Sequence, residues 1–169
     1  MIGNMDTTTK ALRVMLVDED TVSLKLMAYY IKGYVKSSRV TTYSDASDSL
    51  NMLKSSPENH PDILILSLYM TEINGLSFIH QLNEYYQKTY GSRPPYRIVL
   101  LAGLLENEQI DTEHQTFYEH PDIIHFLEPA GISKQDIVLP IDACVSKPVN
   151  KEKLDIILNL DWSRTRIVY

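Results

Sequence analysis

The chain has 169 residues, of which 44% are hydrophobic, and it carries a formal net charge of −6. This length and composition fit one domain with a sizeable core. Because the lysines and arginines are scattered and form no basic stripe, we expect no direct contact with nucleic acid. No apolar run approaches the roughly 18 residues of a membrane span, and residues 1–10 lack the apolar core of a signal peptide. The sequence therefore predicts a cytoplasmic or nuclear protein without membrane contact.

Short apolar runs mark the predicted strands of a sheet. They are Val14–Val17, Ile63–Leu66 and Ile98–Leu101. These runs lack the alternation of polar and apolar residues that marks a half-exposed strand, so they indicate a sheet covered on both faces.

Helical patterns lie between these runs. After the first run, apolar and aromatic residues recur at helical spacing, namely Leu26, Met27, Tyr30, Ile31 and Tyr34. A shorter strand at Arg39–Tyr43 follows, and then a helix over Ala46–Lys54 with Asp45 as its N-cap. The turn Asn74-Gly75 precedes the next helix, and a last helix covers roughly 150–160. We expect these two helices to turn the following residues toward the core: Leu76, Ile79, Leu82, Leu154, Ile157 and Leu158.

The alternation of strands and helices predicts a parallel α/β sheet with right-handed crossovers. In such a sheet, ligands bind beyond the carboxyl ends of the strands. We therefore expect the residues that follow the strands to cluster there: Asp18, Glu19, Ser67, Ala102 and Gly103.

Four sequence blocks carry a family resemblance. They are Val17–Asp20, Ser67–Thr71 with Gly75, Leu101–Gly103 and Ser146–Pro148. Their order and spacing resemble those of response-regulator receiver domains, over about Leu12 to Leu160. Within that family, residues 40–43 and 50–53 look most like plant response regulators. The resemblance implies a flavodoxin-like, doubly wound sheet of five parallel strands in the order 2-1-3-4-5.

The resemblance also implies a phosphorylation site. Receiver domains accept a phosphoryl group on an aspartate that ends the third strand, with magnesium held by that aspartate and by an acidic pair after the first strand. Asp18 and Glu19 match the acidic pair, and Lys147, followed by Pro148, matches the lysine that contacts the phosphoryl oxygens. The acceptor position is occupied by Ser67.

Serine at the acceptor position changes the chemistry of the site. Its hydroxyl is neutral and a poor nucleophile without an activating base, so no acyl phosphate can form there. It also removes an anionic oxygen ligand on which magnesium depends. We therefore expect Asp18 and Glu19 to bind magnesium weakly or not at all, no other cofactor, and an ion pair between Lys147 and one of these two carboxylates.

Two further positions of the family pattern have changed. The hydroxyl residue that ends the fourth strand is Ala102, and the aromatic residue three positions before the lysine is Cys144. Our hypothesis is a non-enzymatic pseudo-receiver that binds phosphorelay proteins, namely a phosphotransfer protein, a histidine kinase or other response regulators. The pattern also allows a homodimer.

Other interpretations remain open on the sequence alone. Phosphoryl transfer would persist if Asp18 or Glu19 activated Ser67. A flavin-binding domain would place its cofactor at the same strand ends, but no glycine-rich loop follows the first strand. The acidic residues after that strand also suit a simple helix cap. Four tyrosines in the third helix and the loop after it suggest either a contact surface or packing at the edges of that helix and loop: Tyr85, Tyr86, Tyr90 and Tyr96.

The spacing between the last two blocks is long, because 44 positions separate Gly103 from Lys147. The sequence predicts a helix over Glu106–Tyr118, ended by Pro121, and an insertion within about 119–140 before the fifth strand. Residues 1–11 are interpreted as a flexible amino-terminal segment, 12–160 as the receiver-like domain and 161–169 as a tail. Whether the domain stands alone or belongs to a longer protein is left open.

Overall fold

The computed structural model describes residues 10–103, 139–159 and 166–168. The strands in these ranges are β1 (Arg13–Val17), β2 (Arg39–Tyr43), β3 (Ile63–Ser67), β4 (Arg97–Ala102), β5 (Ala143–Ser146) and β6 (Arg166–Val168). The helices are α1 (Thr21–Tyr34), α2 (Ala46–Ser55), α3 (Gly75–Tyr90) and α4 (Lys151–Asn159), with a short 3-10 turn at Pro57–Asn59.

The strands form one parallel sheet in the order β2-β1-β3-β4-β5-β6. The predicted α/β fold and strand order 2-1-3-4-5 are confirmed. β6 adds a sixth strand beside β5, within the segment interpreted as a tail. It has three residues, which is too short for the kind of apolar run that identified β1, β3 and β4.

Helices cover both faces of the sheet, as the unbroken apolar runs predicted. Leu64 and Leu66 of β3 pack in one core with residues of α2 and α3. Ile63 and Ile65 point the other way and pack with residues of α1 and α4. Alternate side chains of one strand thus serve two cores, which is why a run without polar positions is needed.

Side-chain caps fix where the helices begin. Asp20 caps α1 by accepting the backbone N–H groups of Val22 and Ser23. Asp45 caps α2 as predicted, and its Oδ1 lies 2.8 Å from the Asp48 nitrogen. The Asn74-Gly75 turn is itself the start of α3, since Asn74 is the N-cap and Gly75 the first helical residue.

The buried side of α1 differs in part from the helical pattern seen in the sequence. Met27 and Ile31 are buried, and Leu24 completes their stripe. Leu26 is exposed because the 3.6-residue period turns it away from the sheet, and Tyr34 is exposed at the last position of the helix. In the other helices, Leu76, Ile79, Leu82, Leu154 and Ile157 are buried as predicted, and Leu158 packs against the core from a partly buried position.

The predicted helix over Glu106–Tyr118 and most of the predicted insertion within 119–140 lie outside the described residues. At the end of that segment, Leu139 and Ile141 are described, and both are buried in the core on the α2 and α3 side. None of the helices in the described ranges is long and apolar enough to cross a membrane.

The predicted tyrosine contact surface is partly wrong. Tyr86 and Tyr96 are buried, because both rings pack around His60 beneath α3. Tyr90 is exposed. The Nε2 of His60 lies 3.1 Å from the Leu53 carbonyl oxygen, and the Tyr86 hydroxyl lies against the imidazole nitrogens. These contacts make the cluster a structural part of the core.

Burial of His60 predicts a pH-dependent stability. Desolvation lowers the pKa of its imidazole below the usual value of 6.5. As pH falls, the His60 imidazole therefore takes up a proton at a higher pH in the unfolded chain than in the folded one. The contribution of neutral, buried His60 to the free energy of unfolding is thus present above pH ~6.5 and is lost as pH falls below it. We expect the urea midpoint to fall between pH ~7 and ~5, and His60→Gln to flatten this dependence. His80→Gln on α3 is the control; an unchanged pH profile in His60→Gln would contradict the assignment.

Candidate functional site

Asp18 lies directly after β1 and is buried, with 2% of its surface exposed. Its backbone N–H donates to the Tyr43 carbonyl at 3.1 Å, which ties it to the end of β2. Its Oδ1 accepts the backbone N–H of Asp20 at 3.0 Å, and its Oδ2 accepts the Lys147 ammonium at 2.7 Å. Both carboxylate oxygens are therefore engaged within the chain.

Lys147 reaches Asp18 from the loop after β5. Its backbone N–H donates to the Ala102 carbonyl at 2.8 Å, and its peptide bond to Pro148 is cis. Lys153, in the first turns of α4, donates to the carbonyl and hydroxyl oxygens of Ser146, both at 2.8 Å, and to the Pro148 carbonyl at 3.0 Å. The second lysine thus binds the loop on both sides of the first.

Glu19 is engaged by a different residue. Its Oε1 accepts the backbone N–H of Thr71 at 2.5 Å and the Thr71 hydroxyl at 2.6 Å. These two hydrogen bonds lower the pKa of the Glu19 carboxyl below its usual value. The expected ion pair of Lys147 therefore forms with Asp18, and Glu19 joins the end of β1 to the loop after β3.

Ser67 is the last residue of β3 and is completely buried. Its hydroxyl donates to the Tyr69 carbonyl at 3.3 Å. Its own carbonyl oxygen lies so close to Gly75 that a Cβ there would approach it to 2.6 Å. The start of α3 therefore packs directly on the backbone of this strand end.

The two remaining positions of the pattern lie on β4 and β5. Ala102 ends β4, is buried, and is paired in register with Ser146. Cys144 is paired with Leu100, two positions before that strand end, and is buried in the core on the α2 and α3 side. Gly103 follows Ala102 and lies under the Tyr69 ring. A Cβ atom added to Gly103 would lie 3.2 Å from Cε2 of that ring.

Sequence reasoning missed three residues that shape this site. Thr71 holds Glu19, Lys153 holds the loop of Lys147, and Tyr69 covers Gly103. Thr71 and Tyr69 belong to the sequence block Ser67–Thr71, so their position next to Ser67 could have indicated that they contribute to the site. Lys153 had no signal, because its role depends on how α4 approaches a loop with a cis bond.

Comparisons with known proteins show what this architecture is similar to. No protein-family model matches the chain, and no curated protein matches it. Among solved structures, a signal receiver domain of a putative Luxo repressor protein from Vibrio parahaemolyticus is 17% identical, with TM-score 0.58 and 90% of each chain covered. The chain has the fold of a response-regulator receiver domain.

Two further structures support the receiver fold. A signal receiver domain of an HD domain-containing protein from Pseudomonas fluorescens is 18% identical, with TM-score 0.56, covering 92% of this chain and 90% of that one. A Saccharomyces cerevisiae structure contains a histidine phosphotransfer signalling protein and the receiver domain of its downstream response regulator. It matches at 16% identity and TM-score 0.56, over 86% of this chain and 85% of that one.

The donor set at the strand ends does not fit magnesium. In proteins, magnesium is held by one or two carboxylates that are free to coordinate it, together with water molecules. Here Asp18 is bound to an ammonium group, Glu19 is bound to Thr71, and Ser67 offers only a neutral hydroxyl. No group of three or more potential metal-ligating side chains occurs in the part of the chain that the structure describes.

Proposed function

We propose that this chain is a pseudo-receiver, which binds proteins of a two-component phosphorelay and is not phosphorylated on aspartate. The observation that carries the proposal is Ser67, which stands at the end of β3, buried and hydrogen-bonded to the Tyr69 carbonyl. The role is that of a binding protein in the cytoplasm or nucleus, without enzymatic activity. Residues 40–43 and 50–53 support a plant-type regulator.

The geometry argues against Ser67 as a substitute acceptor. A serine nucleophile requires a general base that removes its proton. The two nearby candidates are committed elsewhere, since Asp18 binds Lys147 and Glu19 binds Thr71. Ala102 offers no hydroxyl to stabilise the transferred group. Phosphoryl transfer therefore lacks its acceptor carboxylate, a free base and the hydroxyl donor, and we infer that magnesium does not bind productively either.

An exposed apolar stripe on α1 supports a protein-binding role. Val22, Leu26 and Tyr29 are 71%, 44% and 74% exposed and follow one another at helical spacing. The stripe begins one turn from the Asp18 end of β1. Exposed apolar groups arranged in a row are typical of contact surfaces. Since one structural neighbour contains a phosphotransfer protein, we propose such a protein as the partner.

The first test is intact mass after incubation with magnesium and a phosphohistidine carrier. We expect no added phosphate on the native chain, because no carboxylate stands at the acceptor position. Ser67→Asp restores that carboxylate, and Ser67→Ala is its control. Stoichiometric, acid-labile phosphate on the native chain would overturn the proposal.

The variants separate two forms of the proposal. If Ser67→Asp gains phosphate and Ser67→Ala does not, the acceptor alone has been lost and docking to the carrier persists. If neither variant gains phosphate, the whole pocket has lost its activity, and the binding role must be tested directly on α1.

The α1 stripe gives that direct test. We expect the double variant Leu26→Asn, Tyr29→Asn to bind the histidine phosphotransfer protein at least about tenfold more weakly, because buried aromatic and apolar anchors dominate such contacts. The measurement is isothermal titration calorimetry. Tyr90→Asn on α3 is the matched control, since Tyr90 is also an exposed aromatic residue. Equal affinity of the double variant and the native chain would remove α1 from the interface.

A further inference from the structure

A cavity lies along the edge of the sheet, and its lining does not include Asp18, Ser67 or Lys147. It has a volume of about 600 Å³ and follows the edge strand β2 from the amino-terminal side of the sheet. Its lining includes Arg13 and Arg39, the first residues of β1 and β2. This volume is within the range of small-molecule sites.

The lining of the cavity carries more positive than negative charge. Arg13 and Arg39 are directly paired in register, and Lys32 of α1 contributes a third positive charge. Glu58 is the acidic residue among the described lining residues. The whole chain, in contrast, carries a net charge of −6. A concentration of positive charge in a cavity of an acidic protein favours an anionic ligand.

Hydrogen bonding within the cavity is incomplete. The Arg13 guanidinium is held by the Glu58 carbonyl at 3.1 Å and by Asp62 at 3.7 Å. Its Nε and the Ser38 hydroxyl are nevertheless buried without a hydrogen-bond partner. Such groups destabilise a fold unless something satisfies them.

Protection of the sheet edge explains only part of this arrangement. Cationic side chains on an edge strand discourage pairing with other chains, and Arg39 on β2 serves that purpose. Edge protection does not require a cavity. A cavity whose lining carries three cationic side chains indicates that these residues are arranged around an anionic ligand.

We propose that this cavity binds a small phosphorylated molecule with an apolar or aromatic part, the chemical class of the nucleotides. Arginine forks match the oxygens of a phosphate group. Tyr43 and Met52 line the same cavity and are partly buried against the core, so they offer surface to a ring. The site stands apart from Ser67, so the inference holds whether or not the chain accepts phosphate.

ADP, without magnesium, is the probe for this site. We expect saturable 1:1 binding by calorimetry at low ionic strength, with backbone amide shifts centred on residues 38–43. Lys32→Gln combined with Arg39→Gln should weaken binding at least about tenfold, because two charge-assisted contacts are lost. Both side chains are exposed, so the fold is retained. Lys88→Gln on α3 also removes an exposed positive charge, outside the cavity, and should leave the affinity unchanged.

Three results would overturn the proposal. One is the absence of saturable binding. Another is an equal loss of affinity in Lys88→Gln, which would show general attraction of anions. The third is a set of amide shifts centred on Asp18 and Lys147, which would place the anion at the strand ends instead.

Discussion

Replacement of Lys147 by methionine is expected to lower the free energy of unfolding by about 3 kcal/mol. Methionine has a similar length but leaves the Asp18 carboxylate buried without its cation. The side chain of Asp18 is 3% exposed and that of Lys147 is 29% exposed, so solvent replaces the ammonium poorly. Urea unfolding followed by circular dichroism measures the change.

Two further variants separate the effect of losing the ion pair from the general effect of replacing a lysine by methionine. Lys25→Met, on the exposed side of α1, should change the unfolding free energy by no more than about 0.5 kcal/mol. Asp18→Asn introduced together with Lys147→Met should recover part of the loss, because no buried charge remains. A similar loss in Lys147→Met and Lys25→Met would show that the ion pair contributes little to the stability of the fold.

Three of the strands were accessible from the sequence because a sheet covered on both faces requires unbroken apolar runs, whereas the strand order 2-1-3-4-5 was what the family resemblance implied. β1, β3 and β4 carried such runs, and the residues that follow them reached the same edge of the sheet. Strand β6 was missed because three residues give no periodicity. The local sequence pattern therefore predicts a strand or helix only when that element is long enough for the pattern to repeat within it.

Pairing within the site was less accessible, because it depends on distances that the sequence does not contain. The sequence offered Asp18 and Glu19 as equivalent partners for Lys147. Thr71 decides between them by binding Glu19, and Lys147 then pairs with Asp18. The burial of Tyr86 depends in the same way on His60, which approaches it from another part of the chain.

Alanine at Gly75 is expected to destabilise the fold by about 2 to 3 kcal/mol. Its Cβ would lie 2.6 Å from the Ser67 carbonyl oxygen and 2.9 Å from the Leu68 Cα. Both are backbone atoms of the strand end, so relief requires α3 to move away from β3. Gly75 therefore fixes the position of Ser67 as well as the start of a helix.

Gly33→Ala is the matched control for this prediction, because Gly33 also lies in a helix but has no atom within 4 Å of its added Cβ. There the same substitution should stabilise the chain by about 0.5 to 1 kcal/mol through helix propensity. Urea midpoints of the two variants should move in opposite directions from that of the native chain. A loss of similar size in both would attribute the effect to the helices in general. A gain in both would mean that the contact between α3 and the end of β3 yields easily, and that Ser67 is not held where the structure places it.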